Sequence, residues 1–171
     1  KEASRLVNSN QIVLDAGAGE CKYRVYFPHT SYIALDFLCG DNRWDYRRVD
    51  IGGDVINITL KANTVDMVIN TQVLEHVSEP AKTIQEFYRV LKPGGRLFLT
   101  TPQGWYEHQI PHDYFRYTSY GLKYLFHKAG FQVDFIKPMG GYFRYIAYRL
   151  IFLPKVLFWQ RSRVSRIFLF P

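Results

Sequence analysis

The sequence has only two cysteines, and nothing around them suggests a cross-link or a metal site. Cys21 and Cys39 form neither a Cys-x-x-Cys pair nor a cluster with histidine. A disulfide framework and a structural zinc site therefore lack support, and we predict no metal site. At 171 residues the chain is long enough to bury a hydrophobic core without such staples. A reducing cytoplasm fits this cysteine usage best.

Long uninterrupted hydrophobic runs are also missing. The most apolar window, residues 142–159, is broken by Arg144, Arg149, Pro154 and Lys155. These interruptions argue against a membrane-spanning helix, and no signal-peptide pattern opens the sequence. We therefore expect a cytoplasmic protein whose contact with a membrane, if it has one, is peripheral.

Short apolar runs alternate with helix-like segments along the chain, and there is no internal repeat. This alternation is typical of an α/β fold with a parallel sheet. One helix has Ser78 as its candidate cap, Pro80 in its first turn and a Lys-Pro-Gly-Gly run at its end. A second helix runs from Thr118, its candidate cap, to a stop at Gly130. Six strands are predicted, at residues 11–15, 32–36, 48–50, 65–70, 96–101 and 132–136.

Glycines and acids follow these strands at the points where the strands end. Gly17 and Gly19 come directly after the first strand, Asp36 closes the second, and Asp54 follows the third. Ligands of parallel sheets bind outside the carboxyl ends of the strands, so we expect these residues to share one pocket. Asp36 lies 21 residues beyond Asp15, near the spacing at which an acid accepts hydrogen bonds from both hydroxyls of a ribose.

The glycine loop does not suit a diphosphate. A dinucleotide-binding loop would have a third glycine at position 22, where this sequence has Lys22. Glu20 would place negative charge where the diphosphate should lie. A nucleoside that lacks phosphates and carries a positive group fits this acid-rich loop better, and S-adenosylmethionine has that chemistry.

Five motifs occur in order: VLDAGAGE at residues 13–20, IALD at 33–36, GD at 53–54, TVDMVINTQVLEHV at 64–77 and RVLKPGGRLFLTTP at 89–102. Together they resemble class I S-adenosylmethionine-dependent methyltransferases, over a stretch from about residue 11 to residue 136. The resemblance implies a three-layer α/β sandwich with a mostly parallel, doubly wound sheet. The seventh strand usual in that family is missing or altered here.

The resemblance also implies roles for individual residues around the cofactor, S-adenosyl-L-methionine. Asp36 would hold the ribose and Asp54 the adenine amino group, with Asp50 a weaker candidate for adenine. Alternatives stay open, because the glycines could form a plain turn, Asp36 a strand-end cap and Asp54 an ordinary turn. The cofactor-binding residues implied are Asp15, Gly17, Gly19, Asp36, Phe37, Asp54, Val55 and Thr71.

The loop after the fifth predicted strand, residues 101–118, is long for a plain connection, and such loops are usually functional. His112 and Asp113 are the candidate catalytic residues, with His112 taking a proton from the methyl acceptor. Two alternatives stay open, in which Asp113 only caps a turn or pairs with Arg116 to hold the loop closed. Glu75 and His76 are interpreted as structural capping at the start of a helix rather than as catalytic groups.

The function implied is transfer of a methyl group to a small-molecule or lipid-linked acceptor by in-line displacement. A non-catalytic module that binds the cofactor without turnover is the main alternative. A nicotinamide-dependent oxidoreductase is disfavoured by Lys22. Aromatic residues of the long loop, such as Trp105, Tyr106, Tyr114 and Phe115, favour an apolar or ring-bearing acceptor.

The end of the chain is basic and has no acid. Residues 135–171 hold seven basic side chains, so the other 134 residues balance at 15 basic and 15 acidic. We expect a methyltransferase domain at residues 1–138 and a basic, aromatic-rich helical segment at residues 139–171 that packs on the domain or on a partner. Residues 142–171 could also form a homodimer contact or lie on an anionic membrane. Nucleic-acid binding is disfavoured because the domain has no basic stripe.

Overall fold

The computed structural model describes residues 3–141, 143, 145–147, 149–151 and 153. Short 3-10 helices lie at Ala3–Leu6, Arg24–Tyr26 and Leu74–His76. The strands and α-helices are β1 (Ile12–Ala16), β2 (Ser31–Asp36), β3 (Ile51–Gly52), β4 (Val65–Thr71), α1 (Pro80–Val90), β5 (Leu91–Thr100) and α2 (Ser119–Ala129).

The strands form one parallel sheet in the order β3-β2-β1-β4-β5. Val13 of β1 lies opposite Tyr32 of β2 and Met67 of β4. Because all strands run in one direction, their carboxyl ends share one edge of the sheet, and the strand order reverses between β1 and β4. That edge is where the sequence predicts the ligand pocket.

Helix α1 covers one face of the sheet. Ile84, Phe87 and Val90 recur at three-residue spacing, so they lie on one side of the helix and are completely buried. α1 packs against β5, and α2 packs against α1. Tyr88 of α1 meets Phe131, just after α2, edge to face at 5.1 Å between ring centres. The two helices therefore form the helical layer of the fold.

The opposite face is covered by turns and 3-10 helices. Side chains from the connection between β1 and β2, and from the first 3-10 helix, pack onto the central strands there. The α/β fold predicted from the sequence is confirmed, and both faces of β1 and β4 are buried, which explains their nearly continuous apolar sequences. The buried residues of this second face are Ala3, Val13, Ala18, Cys21, Phe27, Tyr32, Ala34, Met67 and Ile69.

Three strand predictions need correction. The strand predicted at residues 96–101 begins earlier, at Leu91, so the Lys-Pro-Gly-Gly run lies within β5 and not at the end of α1. The strand predicted at residues 48–50 begins later, at Ile51, where regular pairing with Leu35 of β2 starts. The strand predicted at residues 132–136 is wrong, since these residues form no strand. The amide of Phe131 donates to the carbonyl of Phe126 at 2.9 Å, which turns the chain back on the end of α2. In the part of the chain that is described, the sheet ends at β5 and has no seventh strand.

The predicted ends are correct for α2, but the predicted cap of α1 is not. The Thr118 side chain accepts a hydrogen bond from the Gly121 amide at 3.0 Å, and Gly130 takes the left-handed conformation with φ of +100°. Both predicted ends of α2 are thus confirmed. The predicted cap of α1 is wrong, because Glu79 and not Ser78 occupies its N-cap.

The chain divides into two compact units, residues 1–133 and residues 134–171. In the second unit the described residues from 143 to 153 are helical, and Arg149 donates to the Tyr145 hydroxyl at 2.8 Å. Among the described residues no helix has the length and apolarity needed to cross a membrane. Most of residues 142–171 lie outside the described residues, so the division at residue 138 and the contacts of this segment stay predictions.

Candidate functional site

The glycine loop after β1 forms the centre of the candidate site. Gly17 and Gly19 have φ of +85° and +52°, a region that favours glycine. A Cβ atom at Gly17 would lie 2.3 Å from a methyl carbon of Val73, which follows β4. The amides of Gly17 and Ala18 both donate to the carbonyl of Leu35, at 2.8 and 3.0 Å. The loop is therefore held between the ends of β2 and β4, and position 17 excludes a side chain.

Asp36, at the end of β2, ties this loop to the turn that follows β2. Its Oδ2 accepts the Gly19 amide and its Oδ1 accepts the Leu38 amide, both at 2.7 Å. The residue is buried, with 9% of its surface exposed. A carboxylate has about four acceptor positions, so roughly two stay available to a ligand. This arrangement is compatible with the ribose contact predicted for Asp36.

Asp15 is completely buried within β1. The hydroxyl of Tyr32 donates to its Oδ2, whereas its Oδ1 has no partner among the described residues. Burial, together with the negative charge of Asp36, raises the pKa of the Asp15 carboxyl to about 6. Asp15 therefore contributes an unpaired buried acceptor at the same edge of the sheet.

Asn70 gives β4 a second buried acceptor of this kind. Its Nδ2 donates to the carbonyl of Ala16 at 2.7 Å and so joins the ends of β4 and β1. Its Oδ1 has no partner among the described residues. Buried polar groups are normally hydrogen-bonded, so unpaired acceptors on adjacent strand ends indicate a place where a ligand binds.

The other residues predicted for the cofactor lie around this edge with different surroundings. Asp54 accepts the Ile56 amide at 3.1 Å. This hydrogen bond is typical of an ordinary turn, which is one of the alternatives left open for Asp54. Val55 is buried, and Thr71 is the last residue of β4. Phe37 is 57% exposed, a position from which its ring can cover a bound base. These roles stay predictions.

Asp50, the weaker adenine candidate, is used inside the protein. Its Oδ2 accepts the Ala34 amide at 2.8 Å and pairs with the Arg24 guanidinium at 2.6 Å. Arg24 in turn packs its guanidinium over the Tyr32 ring, 4.9 Å from the ring centre. These contacts give Asp50 a structural role in joining β3 to β2.

Trp44 lies against the glycine loop and was not predicted from the sequence. A Cβ atom at Gly19 would lie 3.3 Å from its ring, and one at Gly40 would lie 2.6 Å from it. The Gly40 amide also donates to the Tyr46 hydroxyl at 2.9 Å. The segment after β2 therefore folds back so that an indole ring lies against the glycine loop. The signal for this fold-back in the sequence is Gly40, because a residue without a side chain lets the Trp44 ring approach the backbone closely.

Asp113 holds the loop after β5 together. Arg116 donates to both of its carboxylate oxygens, at 2.7 and 2.8 Å, and the His108 amide donates to it at 2.9 Å. The Arg116 guanidinium keeps the pKa of Asp113 well below its usual range. These contacts favour the alternative in which Asp113 pairs with Arg116 to hold the loop closed. His112, whose Nδ1 is 3.2 Å from the Tyr114 hydroxyl, stays the candidate base.

Glu75 joins the connection after β4 to the same loop. The carbonyl of Glu75 accepts the amides of Tyr114 and Phe115 at 2.9 and 3.2 Å. Its side chain is completely buried, and Oε2 accepts the Thr101 hydroxyl at 3.0 Å. Burial raises the pKa of this carboxyl. The interpretation of Glu75 as a helix cap finds no support, because Glu79 is the N-cap of α1.

The parallel strand order, the glycine loop and the acid that closes β2 define the fold and motif set of class I S-adenosylmethionine-dependent methyltransferases. A family model described as a methyltransferase domain matches residues 14–99, which is half of the chain. The chain therefore belongs to this methyltransferase family, whose cofactor is S-adenosyl-L-methionine.

Curated relatives match about half of this chain. The chain is 43% identical over 96 residues to a probable S-adenosylmethionine-dependent methyltransferase of Mycolicibacterium smegmatis, covering 53% of this chain and 37% of that protein. It is 35% identical over 99 residues to a demethylmenaquinone methyltransferase of Paenarthrobacter aurescens, covering 54% of this chain and 39% of that protein. The chain thus spans less than two fifths of the length of these relatives.

Solved structures share the fold. A putative methyltransferase from Bacillus halodurans has a TM-score of 0.62 at 21% identity, covering 75% of this chain and 65% of that one. A SAM-dependent methyltransferase from Aquifex aeolicus has a TM-score of 0.62 at 19% identity, covering 81% of this chain and 82% of that one. At this identity the likeness shows the fold alone.

Replacing Gly17 by alanine should destabilise the protein more than the same change at Gly94. Both residues have positive φ, +85° and +76°, so alanine is strained by about 1–2 kcal/mol at either position. A Cβ at Gly94 meets nothing within 4 Å, whereas at Gly17 it collides with Val73. We expect Gly17→Ala to lower the free energy of unfolding by about 1–3 kcal/mol more than Gly94→Ala, measured by urea denaturation. Equal losses would contradict the collision.

Asp15 should make stability fall as the pH rises from about 4 to about 6. Its pKa is raised from 3.8 to about 6, so in this range the folded chain keeps a proton that the unfolded chain releases. The shift corresponds to roughly 3 kcal/mol of the free energy of unfolding. This contribution is present below the pKa of the unfolded chain and is lost above the pKa of the folded chain.

Urea denaturation of the wild type and of Asp15→Asn at both ends of this range measures the effect. We expect the free energy of unfolding of Asp15→Asn to change less with pH, because the amide cannot titrate and still accepts from Tyr32. The same pH dependence in both proteins would mean that Asp15 titrates normally.

Proposed function

We propose that the chain transfers a methyl group from S-adenosyl-L-methionine to a small-molecule or lipid-linked acceptor by in-line displacement. The observation that carries this proposal is the Asp36 carboxylate, which accepts the Gly19 amide and keeps acceptor positions for the hydroxyls of a ribose. The methyltransferase relatives support the reaction type.

The charges near the glycine loop favour a cationic ligand over a phosphate. Asp15 and Asp36 lie at strand ends beside the loop, and Lys22 is paired with Glu20 at 2.8 Å between Nζ and Oε2. A diphosphate would meet these carboxylates, whereas a sulfonium is attracted to them. When bound, S-adenosyl-L-methionine supplies an electrophilic methyl group on that sulfonium. This charge pattern also disfavours a nicotinamide dinucleotide.

The main task of the chain's own residues is to position the acceptor. In-line displacement requires the acceptor atom about 3–3.5 Å from the methyl carbon, on the side opposite the sulfur. The loop at residues 101–118 can hold the acceptor because its backbone is fixed to Glu75 and its Asp113–Arg116 ion pair keeps it folded. A base is needed only if the acceptor loses a proton, and His112 would then accept it.

Aromatic side chains of this loop support a ring-bearing acceptor. Trp105 and Tyr106 are stacked with ring centres 5.0 Å apart. Tyr114 and Phe115 present partly exposed rings further along. Such faces bind flat apolar molecules through stacking and burial of apolar surface. The demethylmenaquinone methyltransferase among the relatives supports a quinone-type acceptor.

We also propose a cytoplasmic location with peripheral contact to an anionic membrane, or to a second copy of the chain, through residues 142–171. The support is compositional, since residues 135–171 have seven basic side chains and no acid. A lipid-linked acceptor would be consistent with a location at the membrane surface. Nucleic acid stays an unfavoured partner.

Replacing Asp36 by asparagine should weaken cofactor binding. The amide group has a single acceptor oxygen, so it cannot accept both backbone amides and also a ribose. We expect about tenfold weaker binding of S-adenosyl-L-methionine by calorimetry. Asp66→Asn is the matched control, because Asp66 accepts the Ile12 amide at 2.8 Å at the opposite edge of the sheet. Unchanged affinity in Asp36→Asn, or tighter binding of NADH than of S-adenosyl-L-methionine, would refute the assignment.

Replacing His112 by alanine should slow turnover and leave cofactor affinity intact. If His112 is the base, its loss lowers kcat by about 10²–10⁴-fold. The assay follows S-adenosylhomocysteine formation with demethylmenaquinone as the first acceptor, and His127→Ala, at an exposed histidine of α2, is the control. A parallel loss of affinity and turnover would instead indicate a structural role. Cofactor binding without product from any acceptor would favour the non-catalytic module.

A further inference from the structure

Glu75, His76 and His108 converge where the connection after β4 meets the loop after β5. One potential ligand atom from each lies within 4.8 Å of the other two. Nε2 of His76 is 3.8 Å from Oε1 of Glu75, and the two imidazole rings meet edge to face with centres 4.7 Å apart. Ligand atoms of a tetrahedral zinc ion with bonds of about 2.1 Å are about 3.4 Å apart. Small side-chain rotations therefore suffice to close this cluster around a cation.

Two of the three potential ligand atoms are buried and have no hydrogen-bond partner among the described residues. Oε1 of Glu75 and Nε2 of His76 have no hydrogen-bond partner within the described ranges. Glu75 is completely buried, and its other oxygen is held by the Thr101 hydroxyl. Leaving such buried groups without a partner is unfavourable. A cation placed between them would satisfy both at once.

The outer contacts orient both imidazole rings. Nδ1 of His76 is hydrogen-bonded to the carbonyl of His112. Nδ1 of His108 lies 3.2 Å from the carbonyl of Tyr106 and 3.4 Å from Oδ2 of Asp113. Because a carbonyl oxygen only accepts, Nδ1 of His76 carries the proton and its Nε2 keeps the lone pair that binds a metal. Metal-binding histidines are commonly oriented by such a carbonyl contact. Nδ1 of His108 also lies 3.4 Å from a donating nitrogen of Arg116, so its contacts hold the ring in place.

We propose that Glu75, His76 and His108 bind a divalent transition-metal ion of the zinc type. Two imidazoles with one carboxylate suit Zn²⁺ and its first-row neighbours, whereas Ca²⁺ and Mg²⁺ prefer sets of oxygen ligands. Three protein ligands leave a coordination position open to water or to a substrate oxygen, as in catalytic zinc sites. The side chain of His108 is 26% exposed, which gives the ion a path from solvent. The site goes beyond the proposed methyl transfer.

Zinc titration of the metal-stripped full chain tests the site. We expect calorimetry to show a single bound Zn²⁺ and thermal unfolding to show a higher Tm with Zn²⁺, while Mg²⁺ at the same concentration has neither effect. Glu75→Gln keeps the size of the side chain and an acceptor for Thr101, and His108→Ala removes the most exposed ligand. Each should weaken zinc binding about tenfold or more. His127→Ala, the exposed histidine of α2, should not change it.

Absence of zinc binding, or equal binding by the wild type, Glu75→Gln and His108→Ala, would overturn the proposal. Circular dichroism without metal checks that each variant folds, and if Glu75→Gln does not, His108→Ala decides the outcome. The titration uses no cofactor, so a failed zinc site leaves the titration with S-adenosyl-L-methionine unaffected. A failed cofactor titration likewise leaves the zinc result standing.

Discussion

The carboxylate of Asp36 fixes the backbone around the pocket by accepting the amides of Gly19 and Leu38 at the same time. The amides of Gly17 and Ala18 bond to the carbonyl of the preceding residue in β2, so the loop after β1 is attached to β2 at both of its ends. Val73, which follows β4, packs into the space where a side chain at position 17 would lie, so the end of β4 also holds the loop. The pocket thus depends on one buried acid and one residue without a side chain.

The parts of this arrangement that depend on local geometry could be predicted from the sequence. Glycines that must take positive φ, and an acid at the end of an apolar strand, carry their signal within a few residues. Thr118 and Gly130 at the ends of α2 are of the same kind, because a cap involves neighbours along the chain. The parallel sheet was also predicted, because the motifs resembled a known family.

Contacts between distant segments could not be predicted in this way. Glu75 and His76 were interpreted as helix caps from their neighbours in the sequence. Their actual partners, Thr101 and His108, come from the loop after β5 and are distant in the sequence. The alternation of polar and apolar residues at 132–136 is typical of a strand. A strand also needs a neighbouring strand to pair with, and no described residue supplies one. Asp50 and Asp54 are the same residue type, and only the contacts with Arg24 and the Ala34 amide show that Asp50 is already paired.

The connection between β1 and β2 contains only the three-residue 3-10 helix Arg24–Tyr26, and the structure describes the whole of it. In many nucleotide-binding folds a long helix starts directly after the glycine loop, and its aligned peptide dipoles direct partial positive charge at the ligand. Here that field is missing, so nothing in the backbone offsets the repulsion between the strand-end acids and an anion. We therefore expect the carboxylates at the strand ends to disfavour a phosphate at this loop.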